Sequence, residues 1–165
     1  MLATHTFNSP LGQLTAGASQ QGICLLAFGS QTDAISVIRQ LERSQKSLAE
    51  PLELPIFQQL QQQLDEYFKR QRQQFELPLD LQGTEFQQQA WQALQNIPYG
   101  ATRSYKEQAT ALQRPTAVRA VAQANRTNKL AIIVPCHRVI GSDGSLTGYA
   151  AGIERKRWLL ELEAA

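Results

Sequence analysis

The apolar positions change period several times along the chain, and each change marks an element. Residues 5–7, 14–16 and 23–28 are short apolar or β-branched runs. Turn residues at 8–12 and 20–22 separate them, the pattern of three strands. Residues 33–41 place Ile35, Ile38 and Leu41 on one side of a predicted helix. Pro51 and Pro55 bracket a connector. From 56 to 68, Ile56, Leu60, Leu64, Tyr67 and Phe68 recur at helical spacing among glutamines that read as a solvated face. Residues 75–83, punctuated by Pro78 and Gly83, read as a link.

Beyond the link the helix signals sharpen. Thr84 with Gln87, and Ser104 with Glu107, form two capping boxes. The first opens a helix with Phe86, Ala90, Trp91 and Leu94 on one face, ended by Pro98-Tyr99-Gly100. The second opens a helix reaching about Leu112. Arg114-Pro115 predicts a third, with Pro115 at its first position. In it Ala117, Ala120, Val121 and Ala124 are expected to face the core, with Arg119, Ala122, Gln123 and Arg126 opposite. Two helices joined this closely have the dimensions of a helix-turn-helix, which other paired helices share. The run 130–134 predicts a buried strand, stopped by Pro135 and followed by Cys136, His137 and Arg138. Residues 141–145 predict a hairpin turn, 147–152 a small-residue loop, and 153–163 a closing helix with Trp158, Leu159 and Leu162 inward. The fold class expected is α/β (α+β), with a small sheet-plus-helix domain at 1–82 and a mainly helical domain at 83–165.

Composition narrows the classes. Of 165 residues, 42% are hydrophobic and 18% charged, as in ordinary globular proteins. No apolar run is long enough to span a membrane, and no signal peptide is apparent. Two cysteines cannot build a disulfide framework, and free thiols fit a reducing cytoplasm. The net charge of +2 hides an asymmetry. Residues 1–82 carry 6 Lys+Arg against 8 Asp+Glu, whereas 83–165 carry 10 against 6. Between Gly100 and Ile140 the count is 7 against 1. Such a local excess suggests a polyanion partner, although a solvated basic surface has the same composition. His5, Cys24, Cys136 and His137 lack paired ligand spacing, so no metal site is expected. Cys24, within an apolar strand, reads as structural.

Cys136 is the candidate reactive group. A cysteine beside basic residues at the end of a rigid element is where a thiolate becomes accessible near neutral pH. A buried free cysteine acting as a small hydrophobe is the other reading. Adjacent side chains diverge, so a proton path from Cys136 to His137 is expected to run through water. On the third helix, small residues beside Arg119 and Arg126 would let a nucleic-acid backbone approach closely. An ordinary exposed helix fits these positions too.

Together these motifs resemble the O6-alkylguanine-DNA alkyltransferases, or methylated-DNA–protein-cysteine methyltransferases. The resemblance runs from about residue 84 to 163. It rests on Pro135-Cys136-His137-Arg138-Val139, Ser104-Tyr105, Arg119-Ala120-Val121, Asn128, Gly148-Tyr149 and Trp158-Leu159-Leu160. The first half matches in general layout. Ala151 departs from the pattern, standing where the family usually has a second glycine before Gly152.

The resemblance implies a ribonuclease H-like N-terminal domain and a winged helix-turn-helix-like C-terminal domain that repairs DNA without a cofactor. Cys136 would take the alkyl group from guanine O6 irreversibly, once per molecule. His137 would relay a proton through water, and Glu163 would hold its imidazole. Tyr105 would aid nucleotide flipping and donate to the departing guanine, and Asn128 would tie the helix-turn-helix to the active-site segment. Arg119 would replace the flipped base, with Thr116, Ala120, Gln123 and Arg126 beside it on DNA. Val139, Ile140, Ser142, Ser145 and Tyr149 would line the pocket. The implied partner is double-stranded DNA carrying O6-alkylguanine, met through the minor groove by a monomer. Activity on O4-alkylthymine and cooperativity on DNA stay open. Flipping is expected on general grounds, because O6 is closed to in-line attack within a duplex.

Two other classes compete. A lesion-binding protein of alkyltransferase-like type would carry another residue in place of Cys136. A thiol hydrolase with a Cys-His pair would need an oxyanion site that the sequence does not display.

Overall fold

The computed structural model describes residues 2–44 and 55–165. Pro51 of the predicted connector lies outside the described residues, whereas Pro55 opens a helix. The chain divides into two compact units, Met1–Gln82 and Gly83–Ala165.

In the first unit β1 (Ala3–Ser9), β2 (Gly12–Ser19) and β3 (Gly22–Phe28) form an antiparallel sheet in the order β1-β2-β3. Ser9 pairs with Gly12 and Ser19 with Gly22, so both hairpins turn in two residues. Gly22 has φ 151°, and a Cβ there would meet the Pro78 carbonyl oxygen at 2.3 Å. That crowding fits the short ladder in which Ile23 N donates to Pro78 O and Asp80 N to Ile23 O. Helix α1 (Ile35–Ser44) buries Ile38 and Leu41 against Leu2, Cys24 and Leu25 and leaves Ile35 exposed. Helix α2 (Pro55–Phe68) buries Ile56, Leu60, Leu64 and Tyr67, as its period predicts. One glutamine departs from the solvated-face expectation. Gln63 is buried, because its amide exchanges two hydrogen bonds with the Glu76 backbone (3.1 and 2.8 Å).

In the second unit both capping boxes form, and they open α3 (Glu85–Gln95) and α4 (Tyr105–Ala111). Helix α5 (Val118–Arg126) follows after residues 112–117. Its start is three residues later than Pro115 predicts, with Ala117 as a cap that makes no side-chain bond. Val121, Ala124 and Asn125 are buried, and Ala120 is exposed rather than in the core. Asn125 is buried because it exchanges amide bonds with Gln108 (2.8 and 3.0 Å), which fixes α5 against α4. Trp91 adds the third side of this core, donating Nε1 to Ala124 O at 2.9 Å.

The run 130–134 is buried or nearly so, yet it is not a strand. Ile133 N donates to Ala131 O across Ile132, whose φ is 71°, and Val134 N donates to Leu130 O. Cys136 N then donates to Val134 O across Pro135 (φ −83°, ψ 65°), an inverse γ-turn. Apolar character predicted the burial correctly, but only Leu130 makes an isolated bridge and local turns satisfy the backbone of the rest. Cys136–Arg138 form one 3-10 turn, and β5 (Val139–Ile140) pairs in parallel with β4 (Arg103–Ser104). Residues 141–145 make a tight turn (Gly141 N to Ser145 O, 2.9 Å) that does not join two paired strands. Helix α6 (Ile153–Ala164) closes the chain with Leu159 and Leu162 buried and Trp158 half-buried. Among the described residues, no helix is long and apolar enough to cross a membrane.

Candidate active site

The double turn at 130–136 brings Cys136 back toward Asn128. The two hydrogens on Asn128 Nδ2 serve three acceptors, Val134 O (2.8 Å), Leu130 O (3.3 Å) and Cys136 Sγ (3.3 Å), so one is shared, while the Asn128 Oδ1 accepts from Leu130 N (2.9 Å). Every acceptor sits on the nitrogen side and the donor on the oxygen side, so the amide has one sensible orientation.

Behind the cysteine lies a buried polar cluster. His137 is fully buried, and its Nε2 lies 2.8 Å from Glu163 Oε2. Arg138 donates Nε to Glu163 Oε1 (2.8 Å), one terminal nitrogen to Oε2 (3.1 Å) and the other to Ile97 O (2.7 Å). Burial pushes the His137 imidazole below its ordinary value, against the pull of Glu163. A neutral ring beside an ionised carboxylate carries its proton on Nε2, which leaves Nδ1 as a lone-pair acceptor. Nδ1 is buried and has no hydrogen-bond partner, so no direct bond joins His137 to Cys136.

Burial also pushes the Cys136 thiol up, with the Asn128 amide and the Lys156 charge pulling the other way. The expected near-neutral thiolate is therefore corrected. Desolvation outweighs the neighbouring donors, and the resting group is a thiol.

Around the sulfur the other sequence-predicted residues separate into two groups. Tyr105, the first residue of α4, donates its hydroxyl to Thr147 O at 2.9 Å. Gly148 has φ 73°, and a Cβ there would stand 3.0 Å from the Tyr105 hydroxyl. Burial, with the Cys136 charge adding to it, raises both Tyr105 and Tyr149; Tyr149 also has a buried hydroxyl without a partner. Val139 is buried and Ile140 half-buried, whereas Ser142 and Ser145 lie on the exposed turn 141–145. On α5, Arg119, Ala120, Gln123 and Arg126 are all exposed and share one face, with Thr116 exposed just before it. An open groove of about 750 Å³ runs from Arg126 past Tyr149 and Ala151 to Arg155, linking that face to the loop at 148–152. Among the described residues, no cluster of three His, Cys, Asp or Glu could hold a metal ion.

Sequence reasoning missed Lys156. It is fully buried, and its Nζ donates to Val139 O (2.5 Å) and Thr147 O (2.9 Å). Its position was a signal, since Lys156 shares a face of α6 with buried Leu159 and Glu163 at spacings of three and seven.

Comparison with known proteins settles the family. Residues 2–81 match the model for the ribonuclease-like domain of 6-O-methylguanine DNA methyltransferase, and 85–165 match the model for its DNA binding domain. The chain belongs to this family. The constitutive methylated-DNA–protein-cysteine methyltransferase of Bacillus subtilis is 45% identical over 159 residues, covering 96% of this chain and 93% of the relative. The crystal structure of Mycobacterium tuberculosis O6-methylguanine methyltransferase superposes with a TM-score of 0.83 at 44% identity, over 99% of this chain and 93% of the other. A structure of M. tuberculosis OGT in complex with DNA gives 0.80 at 44% identity, over 98% and 92%. The methyltransferase reaction is DNA repair by alkyl transfer to a protein cysteine, and DNA is the partner.

Proposed function

We propose that Cys136 is the acceptor and that the lesion is O6-alkylguanine in duplex DNA. The carrying observation is the buried relay behind the thiol: a partnerless acceptor nitrogen on His137, fixed from its other side by Glu163 and Arg138. The Cys136 sulfur attacks the alkyl carbon, the carbon–O6 bond breaks, and the thiol proton passes to His137 Nδ1 through water. The departing guanine takes up a proton, with Tyr105 as the donor beside it. No redox partner or cofactor enters this balance. The thioether is stable, so each molecule acts once. Asn128 stabilises charge on sulfur as the proton leaves, because an N–H bond to an ionised acceptor is stronger than one to a neutral acceptor.

Recognition falls to the exposed face of α5, where Arg119 fills the gap left by the flipped nucleotide from the minor-groove side. Thr116, Ala120, Gln123 and Arg126 lie beside it against the backbone. Val139, Ile140 and Tyr149 enclose the base, with Ser142 and Ser145 at the rim. The protein works as a monomer. The two free cysteines suit the cytoplasm as its compartment.

The test is a Cys136→Ser variant given O6-methylguanine duplex. It should bind DNA as the parent does, with the same salt dependence, and transfer nothing. Retained transfer would place the acceptor elsewhere.

A further inference from the structure

The proposed reaction leaves one buried cation unused. Lys156 has 0% exposure, and its ammonium meets no carboxylate; its two partners are the carbonyls of Val139 and Thr147. It also lies 5.8 Å from the centre of the Tyr105 ring, and Tyr105 donates to the same Thr147 carbonyl at 2.9 Å. One nitrogen thus joins α6 to β5, to the loop after the 141–145 turn, and to the first residue of α4. The next residue, Gly148, is so close that a Cβ there would stand 3.0 Å from the Tyr105 hydroxyl, which would have to give way slightly.

Such a charge is costly. Burial pulls the Lys156 pKa down from 10.5 to about 8, with Cys136 the only charge opposing that fall. Packing alone would be served by an uncharged side chain of the same shape, since a buried charge without a carboxylate is expensive to desolvate. What an apolar side chain could not do is hold two carbonyls and an aromatic ring in one arrangement.

We propose that Lys156 is a positioning residue of the substrate pocket. Its ammonium fixes the Val139 and Thr147 carbonyls and the Tyr105 ring, and so sets the pocket width and the angle at which an alkylated base meets Cys136. This rests on Cys136 being the acceptor. The lysine touches neither the base nor the transferred carbon, and acts through the groups it holds.

The experiment compares Lys156→Met with the parent protein in three single-turnover reactions. The first uses O6-methylguanine duplex, the second free O6-benzylguanine, and the third iodoacetamide, which alkylates Cys136 without needing an ordered pocket. Transfer from both guanine substrates should slow about tenfold or more, the rate equivalent of one charge-assisted hydrogen bond. Losing the Lys156 charge raises the Cys136 thiol, so iodoacetamide labelling is compared at matched positions on each protein's own pH profile, where its rate should change far less. Equal losses in all three reactions would mean that Lys156 acts on the thiol, and unchanged guanine rates would mean that it positions nothing. Either result overturns the inference. A melting curve checks that the variant folds. If it does not, Lys156→Ala supplies the second test, because propylammonium ion should enter the vacated slot and restore the free-base rate saturably. A folded Lys156→Ala protein that the amine fails to rescue would also refute the proposal. A parent protein whose adduct lies off Cys136 would instead refute the acceptor assignment.

Discussion

Replacing Asn128 with alanine removes four hydrogen bonds, but their losses are unequal. Val134 O keeps its bond from Cys136 N, and Leu130 O keeps its bond from Val134 N. Leu130 N loses its only partner, and Leu130 is 1% exposed, so water cannot replace it. One orphaned buried donor costs about 1–3 kcal/mol, and two lost carbonyl bonds add about 1 kcal/mol each. The sum, about 3–5 kcal/mol, is a large part of a typical total stability. For a chain of this size the melting temperature should fall by roughly 10 °C. The fourth bond, to Cys136 Sγ, acts on reactivity. A hydrogen bond to an ionised acceptor is worth about 1.5–3 kcal/mol, so losing it should move the midpoint of Cys136 alkylation up by about one to two pH units. The assay is the rate of iodoacetamide labelling at Cys136 against pH, beside a thermal melt. Asn128→Asp should be worse, because a carboxylate cannot donate to the two carbonyls and repels a thiolate. An unchanged labelling profile in a destabilised Asn128→Ala protein would refute the role at sulfur, and an unchanged melt would refute the role in the turn.

The other expectations are simpler. Arg119→Ala should slow repair of duplex DNA strongly and leave reaction with free O6-benzylguanine nearly unchanged, because a free base leaves no gap to fill; equal losses would remove Arg119 from recognition. Gly148→Ala should strain a backbone at φ 73° and push on Tyr105, costing about 1 kcal/mol or more and slowing transfer; a normal rate would show that the loop yields. Burial holds His137 neutral, so below about pH 6.5 the unfolded chain binds a proton that the folded chain refuses. Its contribution to stability is therefore full above 6.5 and declines as pH falls toward the lowered folded value. His137→Gln should flatten that decline in melting temperature, and a slope that does not change would contradict the assignment.

What the sequence revealed depended on how local the cause was. Both capping boxes were legible because donor and acceptor lie three residues apart. The apolar run 130–134 announced its burial but not its conformation, since Asn128 and two γ-type turns, not a neighbouring strand, satisfy its backbone. The phase of α5 was misjudged at Ala120 because alanine signals burial weakly, while the deciding residue, Asn125, looks polar until Gln108 is seen opposite it. Glu163 lies 26 residues from His137, and only family resemblance suggested the pair. Lys156 was passed over because lysine is ordinarily solvated. The thiol was misjudged in direction because charge is visible in a sequence and desolvation is not.

The most direct measurement is the position of the transferred group. The protein is incubated with duplex DNA containing one O6-methylguanine, digested, and mapped by mass spectrometry peptide by peptide. One methyl group per molecule on the peptide containing Cys136, with guanine restored in the DNA and no second turnover, is the predicted result. A methyl on Cys24, an unmodified protein with repaired DNA, or repeated turnover would contradict the account.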